Sequence, residues 1–79
     1  MKAKVYITPK QGILDPQGVA IERALPALGF EGVGGVRVGK YIELELPDGE
    51  GAGEEMDKMC HKLLANPIIE DYRFELVPD

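Results

Sequence analysis

The sequence predicts an α+β domain, a two-layer sandwich with two helices on one face of an antiparallel-rich sheet. The first and last segments alternate apolar and polar residues, as strands with one buried face do. Two segments between them place apolar residues at helical spacing. The predicted order is β-α-β(β)-α-β in a single domain over residues 1–79.

The first part of the chain predicts a strand and then a helix. Alternation over residues 2–8 predicts the strand. Asp15 and Pro16 mark a helix start, because aspartate accepts hydrogen bonds from free backbone N–H groups and proline needs none at the first helical position. Pro26 removes a backbone hydrogen bond, so we expect a kink or a tightened last turn before Gly29 ends the helix.

Residues 36–46 permit two interpretations. Their apolar residues all fall at even positions: Val36, Val38, Ile42, Leu44 and Leu46. This parity fits a hairpin with a three-residue loop over residues 39–41, and it fits equally one long strand bent at Gly39. The long strand would span about 36 Å at about 3.3 Å per residue and would overhang so small a domain.

Residues 54–65 predict the second helix, because apolar residues recur at i, i+3, i+4, i+7 and i+8. This stripe comprises Met56, Met59, Cys60, Leu63 and Leu64. We therefore expect Met59 and Leu63 to be core residues. Alternation over residues 68–77 predicts the last strand. The sheet face away from the helices would carry Lys4, Tyr6, Tyr41, Glu43, Glu45, Arg73 and Glu75.

Composition argues against several functional classes. The net charge of −5 is unlike that of a general nucleic-acid binder, which needs clustered cations to displace counterions. No segment approaches the ~20 apolar residues of a membrane span, and no signal peptide is evident, so we expect a cytoplasmic protein without a membrane partner. Cys60 and His61 are the only cysteine and histidine, too few for structural zinc.

The sequence offers no catalytic constellation. His61 has no evident nucleophile to pair with, and Thr8 is the only serine or threonine. The glycines at 32, 34 and 35 precede a strand and lack a following Lys-Ser/Thr pair, so they predict a turn instead of a phosphate loop. We expect no catalytic, cofactor or metal residue, and a module that acts through a partner surface.

Candidate docking residues surround Gly39. Parity places Arg37 and Tyr41 on the face opposite the apolar residues, and these two residue types often anchor interfaces. Gly39 allows another backbone to approach closely. We predict a docking surface that includes Arg37, Gly39, Lys40 and Tyr41. The alternative is that Gly39 and Lys40 only form a turn and that Tyr41 packs within a homodimer. A homodimer or higher oligomer is expected because so small a core gives a thin stability margin.

Three segments resemble one known family. They are residues 14–18 (LDPQG), 36–44 (VRVGKYIEL) and 60–72 (CHKLLANPIIEDY), and together they span much of the chain in the right order. The family is the PurS subunit of phosphoribosylformylglycinamidine synthase. Pro26 and the glycines at 49, 51 and 53 are unusual for its pattern.

The resemblance implies a role in de novo purine biosynthesis. In the family, a glutaminase subunit releases ammonia, and a large ATP-dependent synthetase subunit transfers it to formylglycinamide ribonucleotide. The complex uses ATP and magnesium. The resemblance implies that this small subunit binds both partners as a dimer and has no catalytic residue of its own.

Two other functions remain open from the sequence. A small β-α-β-β-α-β domain can be a regulatory domain that senses small molecules, with a ligand at a dimer interface near residues 32–35. The chain could also be an unrelated oligomeric adaptor. A thermal-shift response to amino acids or nucleotides would favour the regulator, and the proteins captured from a lysate would identify an adaptor.

Overall fold

The computed structural model describes residues 1–78. Its three strands form one antiparallel sheet in the order β2-β1-β3. The strands are β1 (Lys2–Pro9), β2 (Lys40–Glu45) and β3 (Glu70–Val77). The α-helices are α1 (Pro16–Ala24), which a 3-10 turn follows at Pro26–Leu28, and α2 (Ala52–Met59), which a π-helical turn follows at Cys60–Leu64. The predicted α+β class and the antiparallel sheet are confirmed.

The core lies between the central strand β1 and α2. Three alternate side chains of β1 are fully buried, and Met56 and Cys60 of α2 pack over them. Leu46 and Ala65 complete the buried cluster. The inward side chains of β2 and β3 are half-buried against it, which is the alternation that the sequence predicts for one-sided strands.

The helix α1 contributes no side chain to this core. Among residues 1–78, the buried cluster and the apolar side chains packed against it come from elsewhere in the chain. Ile21 is 44% exposed and Leu28 is 70% exposed. The radius of gyration is 16.0 Å, and the molecule measures 50 × 28 × 14 Å. A compact chain of this length would have a radius of gyration of about 12 Å. The helix α1 therefore extends the molecule instead of thickening it.

Hydrogen bonds hold α1 to the segment that precedes β2. One oxygen of Asp15 accepts from the backbone N–H of Gly18 at 3.0 Å, and the other accepts from Val38 at 2.8 Å. The Glu22 carboxylate accepts from the backbone N–H of Val36 at 3.1 Å. Gly18 is buried, and a Cβ there would collide with the Val36 carbonyl oxygen. The predicted cap at Asp15 is confirmed, and it also ties α1 to residues 36–38.

The end of α1 follows the prediction for Pro26. The regular helix stops at Ala24, and Pro26 begins the 3-10 turn. Gly29 then adopts a left-handed conformation with φ of 94°. This conformation suits glycine because it has no Cβ to clash with the backbone. The expected tightened last turn and the end of the helical segment at Gly29 are both observed.

The chain before β2 does not form the hairpin, which is one of the two interpretations that the sequence permits. The strand β2 pairs with β1, and residues 36–39 precede it without strand pairing in the described chain. The single long strand over residues 36–46 is not observed either, because β2 begins only at Lys40. Gly39 passes so close to β1 that a Cβ would collide with the Ile7 carbonyl oxygen. Here glycine is required by the close approach of two backbones.

The predicted core position of Leu63 is wrong, since its side chain is 81% exposed. The cause is the π-helical turn, in which the N–H of Ala65 bonds to the carbonyl oxygen of Cys60 at 2.9 Å. A π turn holds one more residue than an α turn and rotates the following residues about the helix axis. Leu64 and Ala65 therefore face the sheet, whereas Met59 packs against the core as expected.

We predict that Met56→Ala lowers the free energy of unfolding by about 2–5 kcal/mol, because truncating a fully buried side chain leaves a cavity. Ile68→Ala is the control, since Ile68 is 82% exposed. Its effect should stay within about 0.5 kcal/mol. Urea unfolding followed by circular dichroism measures both changes, and equal effects would contradict the assigned packing face of α2.

We predict that Asp15→Asn lowers the melting temperature at pH 7 and that this difference shrinks as the pH falls into the acidic range. The backbone hydrogen bonds from Val38 and Gly18 lower the pKa of Asp15 in the folded protein. Its stabilising effect is therefore present above its unfolded pKa of about 3.9 and is lost as the pH falls through the folded value. Asparagine, like a protonated carboxyl group, has one good acceptor oxygen instead of two.

Melting curves from pH 3 to pH 7 test the effect at Asp15. The control is Glu50→Gln, which removes a carboxylate from an exposed loop. A difference between Asp15→Asn and the unsubstituted chain that is independent of pH would show that the two hydrogen bonds do not require the ionised carboxylate.

Candidate docking site

Two of the predicted docking residues lie in the segment between α1 and β2. Arg37 is exposed to solvent. The pKa of Asp15 is lowered by its backbone hydrogen bonds, and the positive charge of Arg37 adds to that effect. Gly39 lies against the Ile7 carbonyl oxygen at the end of the sheet. The charge of Arg37 therefore acts on Asp15, at the start of α1.

The other two predicted residues belong to β2. The Lys40 ammonium lies 3.7 Å from the Glu70 carboxylate, across the sheet. Tyr41 is 50% exposed, and its ring centroid is 5.2 Å from that of Tyr6. The Tyr41 hydroxyl donates to Glu43 at 2.7 Å. This hydrogen bond is the main cause that raises the pKa of Tyr41 to about 12, and it also lowers the pKa of Glu43.

Tyr41 is one end of a row of side chains across the outer face of the sheet. Strand register pairs Tyr6 of β1 with Tyr41 of β2 on one side and with Arg73 of β3 on the other. The Arg73 guanidinium carbon lies 3.9 Å from the centroid of the Tyr6 ring, a close cation–π contact. Arg73 also donates to Glu75 at 3.2 Å. The outer face has the composition that the alternation predicts, and all of those side chains are half or fully exposed.

The structure thus divides the predicted site into two parts. Arg37 lines a groove with Asp15 and Val19 beside α1, while Tyr41 contacts Tyr6, on which Arg73 stacks. The alternation along the strands places Tyr6 and Arg73 on the same face as Tyr41, but neither is among the predicted docking residues. Alternation assigns a side chain to a face, but only the register between strands shows which side chains are neighbours.

A second surface lies beside α2, where a groove of about 380 Å³ separates it from the edge strand β2. The lining residues are Leu44, Glu55, Lys58, Met59, Lys62, Leu63 and Leu64. The groove lies on the β2 side of α2. On the other side the Tyr72 hydroxyl of β3 donates to Asp57 of α2 at 2.8 Å.

Ionisable residues of the described chain form no metal cluster. Within residues 1–78, no group of three or more His, Cys, Asp or Glu side chains is placed to hold a metal ion. Burial is the main cause that raises the pKa of the Cys60 thiol, and the nearby charge of Asp57 adds to it. No helix in the same part of the chain is long and apolar enough to cross a membrane.

Comparison with known proteins identifies sequence relatives over almost the whole chain. The family model PurS, described as phosphoribosylformylglycinamidine (FGAM) synthase, matches residues 2–78. The FGAM synthase subunit PurS of Synechocystis sp. is 48% identical over 75 residues, which cover 92% of this chain and 75% of the relative. The corresponding subunit of Bacillus subtilis is 46% identical over 79 residues, with 95% and 90% of the two chains covered.

Solved structures agree with the sequence matches. The fold is similar to that of B. subtilis PurS, with a TM-score of 0.83, 45% identity and 94% of each chain covered. It is also similar to Methanocaldococcus jannaschii PurS, described as a subunit of formylglycinamide ribonucleotide amidotransferase in the purine biosynthetic pathway, with a TM-score of 0.79, 45% identity and coverage of 94% and 92%.

A chain in the structure of PurLQS from Thermotoga maritima matches with a TM-score of 0.76, 33% identity and coverage of 94% and 93%. The matches thus extend to a chain solved within a larger assembly. Family model, sequence relatives and solved structures all cover nearly the same residues, and together they show that this chain belongs to the PurS family of FGAM synthase.

Proposed function

We propose that this chain is the small, non-catalytic subunit of an FGAM synthase that acts in purine biosynthesis. The observation that carries the proposal is the extent of the match: PurS subunits are 46–48% identical over 92–95% of this chain. A match of this extent includes surface residues as well as the core. The similar chain in the T. maritima PurLQS structure supports a role within an assembly.

The proposed role is to bridge a glutaminase subunit and a large ATP-dependent synthetase subunit. Ammonia released at one site must reach the other before it escapes into solvent, so the two large subunits must stay docked in one geometry. A small protein that binds the joined state more tightly than either separate subunit shifts the equilibrium toward that state. We propose that the synthetase subunit uses the ATP and magnesium, that this chain binds neither, and that the complex acts in the cytoplasm.

We further propose that two copies of the chain pair through α1. Ile21, Leu25 and Leu28 follow helical spacing and are exposed or half-buried. A helix is about 10 Å wide, whereas three strands spaced about 4.8 Å apart form a face about 14 Å wide, so α2 alone leaves part of the inner face uncovered. The uncovered part is the groove between α2 and β2. The helix α1 of a second copy offers a matching apolar stripe.

Reciprocal exchange of α1 would give a two-fold dimer. Each half would then be a complete two-layer sandwich, with α2 from one chain and α1 from the other. Such pairing explains how so small a chain gains a sufficient core, since domains of this size often gain stability through oligomerisation. The same pairing would bury Leu63, because the π turn points its side chain away from the core of its own chain and toward the groove.

The docking residues Arg37, Gly39, Lys40 and Tyr41 are proposed to contact the larger subunits. Arg37 and Tyr41 are both exposed. Arginine and tyrosine are among the residues that contribute most binding energy when an interface buries them. The alternative, in which Tyr41 packs inside the homodimer, has a distinct experimental outcome.

The test is reconstitution with the glutaminase and synthetase subunits of the same organism. We expect glutamine-dependent FGAM formation to require this chain, whereas ammonia-dependent formation should proceed without it. The double variant Arg37→Ala with Tyr41→Ala should lose the glutamine-dependent activity and keep the ammonia-dependent activity. Arg23→Ala, an exposed arginine on α1, is the matched control.

Glutamine-dependent turnover that is independent of this chain would contradict the proposed function. Sedimentation of the double variant separates the two roles of Tyr41. An intact dimer with lost activity supports docking to the larger subunits, whereas dissociation into monomers supports the alternative that Tyr41 packs within the homodimer.

A further inference from the structure

The strand β3 forms the edge of the sheet opposite to β2. In an antiparallel ladder, hydrogen-bonded pairs alternate along the strands. The N–H of Lys10 donates to the carbonyl oxygen of Ile69 at 2.9 Å, which fixes the alternation between β1 and β3. The odd-numbered residues of β3 therefore bond to β1. The backbone N–H and C=O groups of its even-numbered residues point away from β1, and those in the strand interior are Tyr72, Phe74 and Leu76.

The ladder between β1 and β2 gives the same assignment. Met1 and Leu46 exchange two hydrogen bonds, at 2.8 and 3.0 Å, so the odd-numbered residues of β1 bond to β2 and the even-numbered ones to β3. At the start of β3, the N–H of Glu70 donates to the carbonyl oxygen of Asn66 at 2.7 Å. Among residues 1–78, no strand lies beyond β3. The edge over residues 71–77 can therefore pair with another strand.

The outer face of β3 carries both signs of charge. The side chains of Arg73 and Glu75 are 66% and 52% exposed, and they form an ion pair at 3.2 Å. An exposed pair of this kind contributes little to stability, so either group can turn toward a neighbouring strand at little cost. The outer face of β2 has no cation, since it comprises Tyr41, Glu43 and Glu45. Of the two edge strands, only β3 can place opposite charges against a copy of itself.

We infer that β3 pairs in antiparallel with β3 of a second copy, with Phe74 of each chain opposite the other. This pairing joins the two three-stranded sheets into one continuous sheet about a two-fold axis. Arg73 would face Glu75 of the second copy, and Tyr72 would face its Leu76. The groove beside β2 lies at the opposite edge of the sheet, so the inference goes beyond the proposed function and is independent of pairing through α1.

Hydrogen bonding and charge select this register. A shift by one residue would face even-numbered residues with odd-numbered ones, whose backbone groups already bond to β1. A register centred on Arg73, or one centred on Glu75, would place that residue opposite its own copy, and like charges directly opposite are destabilising. A register centred on Tyr72 would face Phe74 with Glu70, whose N–H is already bonded. The register centred on Phe74 has none of these conflicts.

The helices leave room for this pairing. Met56 and Cys60 of α2 pack over the buried side chains of the central strand β1. With about 4.8 Å between neighbouring strands, β1 would lie about 7 Å from the two-fold axis. The two α2 helices would then lie about 14 Å apart, which exceeds the helix width of about 10 Å. Phe74, which is half-buried in one copy, would meet its counterpart between the helices.

Sedimentation velocity of the full chain tests the inference. Glu75→Arg would bring arginines together across the axis and should lower the sedimenting mass by a factor of two or more. Arg73→Glu should do the same by bringing glutamates together. The matched control is Glu43→Arg, because Glu43 and Glu75 lie opposite the same Lys4 on the two sides of β1. The control should leave the sedimenting mass unchanged.

An equal mixture of the Glu75→Arg and Arg73→Glu chains should recover the mass of the unsubstituted chain. In this mixture, two arginines of one chain face two glutamates of the other, so both cross-strand pairs again have opposite charges. A role of either side chain only within its own copy would not be restored by mixing. Loss of pairing through α1 would lower the mass of the unsubstituted chain and the variants alike, so it is distinguishable from loss of pairing through β3.

Amide hydrogen exchange of the unsubstituted chain needs no variant, so it decides the question even if a variant does not fold. We expect the N–H groups of Tyr72, Phe74 and Leu76 to exchange about tenfold or more slowly in the assembled chain than at high dilution. Equal masses of the unsubstituted and Glu75→Arg chains, or no recovery on mixing folded variants, would overturn the inference. Protection that appears only after a glutaminase or synthetase subunit is added would assign the edge to that subunit, which also overturns it.

Discussion

A three-stranded sheet needs more than one helix to cover its inner face, and a single copy of this chain places only α2 there. The hydrogen bond between Tyr72 and Asp57 links α2 to β3, so the uncovered area lies beside β2. Meanwhile Asp15 and Glu22 hold α1 against residues 36–38, away from its own sheet. An open groove and an open helix face are therefore two consequences of one arrangement, and a second copy would satisfy both.

Local features of the fold were predictable because neighbouring residues determine them. Asp15 caps α1 and Gly29 terminates its last turn, as the sequence indicated. The position of Leu63 was not predictable from the helical repeat, because that repeat assumes 3.6 residues per turn and the π turn exceeds it. The position of α1 relative to the sheet could not be predicted from the sequence either. An apolar stripe shows that a helix is covered, but it does not show which surface covers it.

The candidate docking site was also only partly predictable from the sequence. Alternation placed Tyr41 on the exposed face, and the structure agrees. The row that joins Tyr41 to Tyr6 and Arg73 depends on how three strands that are distant in sequence pair with one another. Predicting the row therefore requires the register between the strands. The PurS relatives are named as subunits of FGAM synthase, and a subunit that assembles with others benefits from exposed residues that are already held in place by their neighbours.

Isotope-filtered NMR tests most directly whether α1 packs on a second copy. Equal amounts of chain with carbon-13-labelled methyl groups and of unlabelled chain would be unfolded together and refolded to mix the copies. We expect nuclear Overhauser effects between chains that join the methyl groups of Ile21 or Leu28 to those of Met59 or Leu63. If these contacts are absent, or if they arise only within one chain, the exchange of α1 between copies is contradicted.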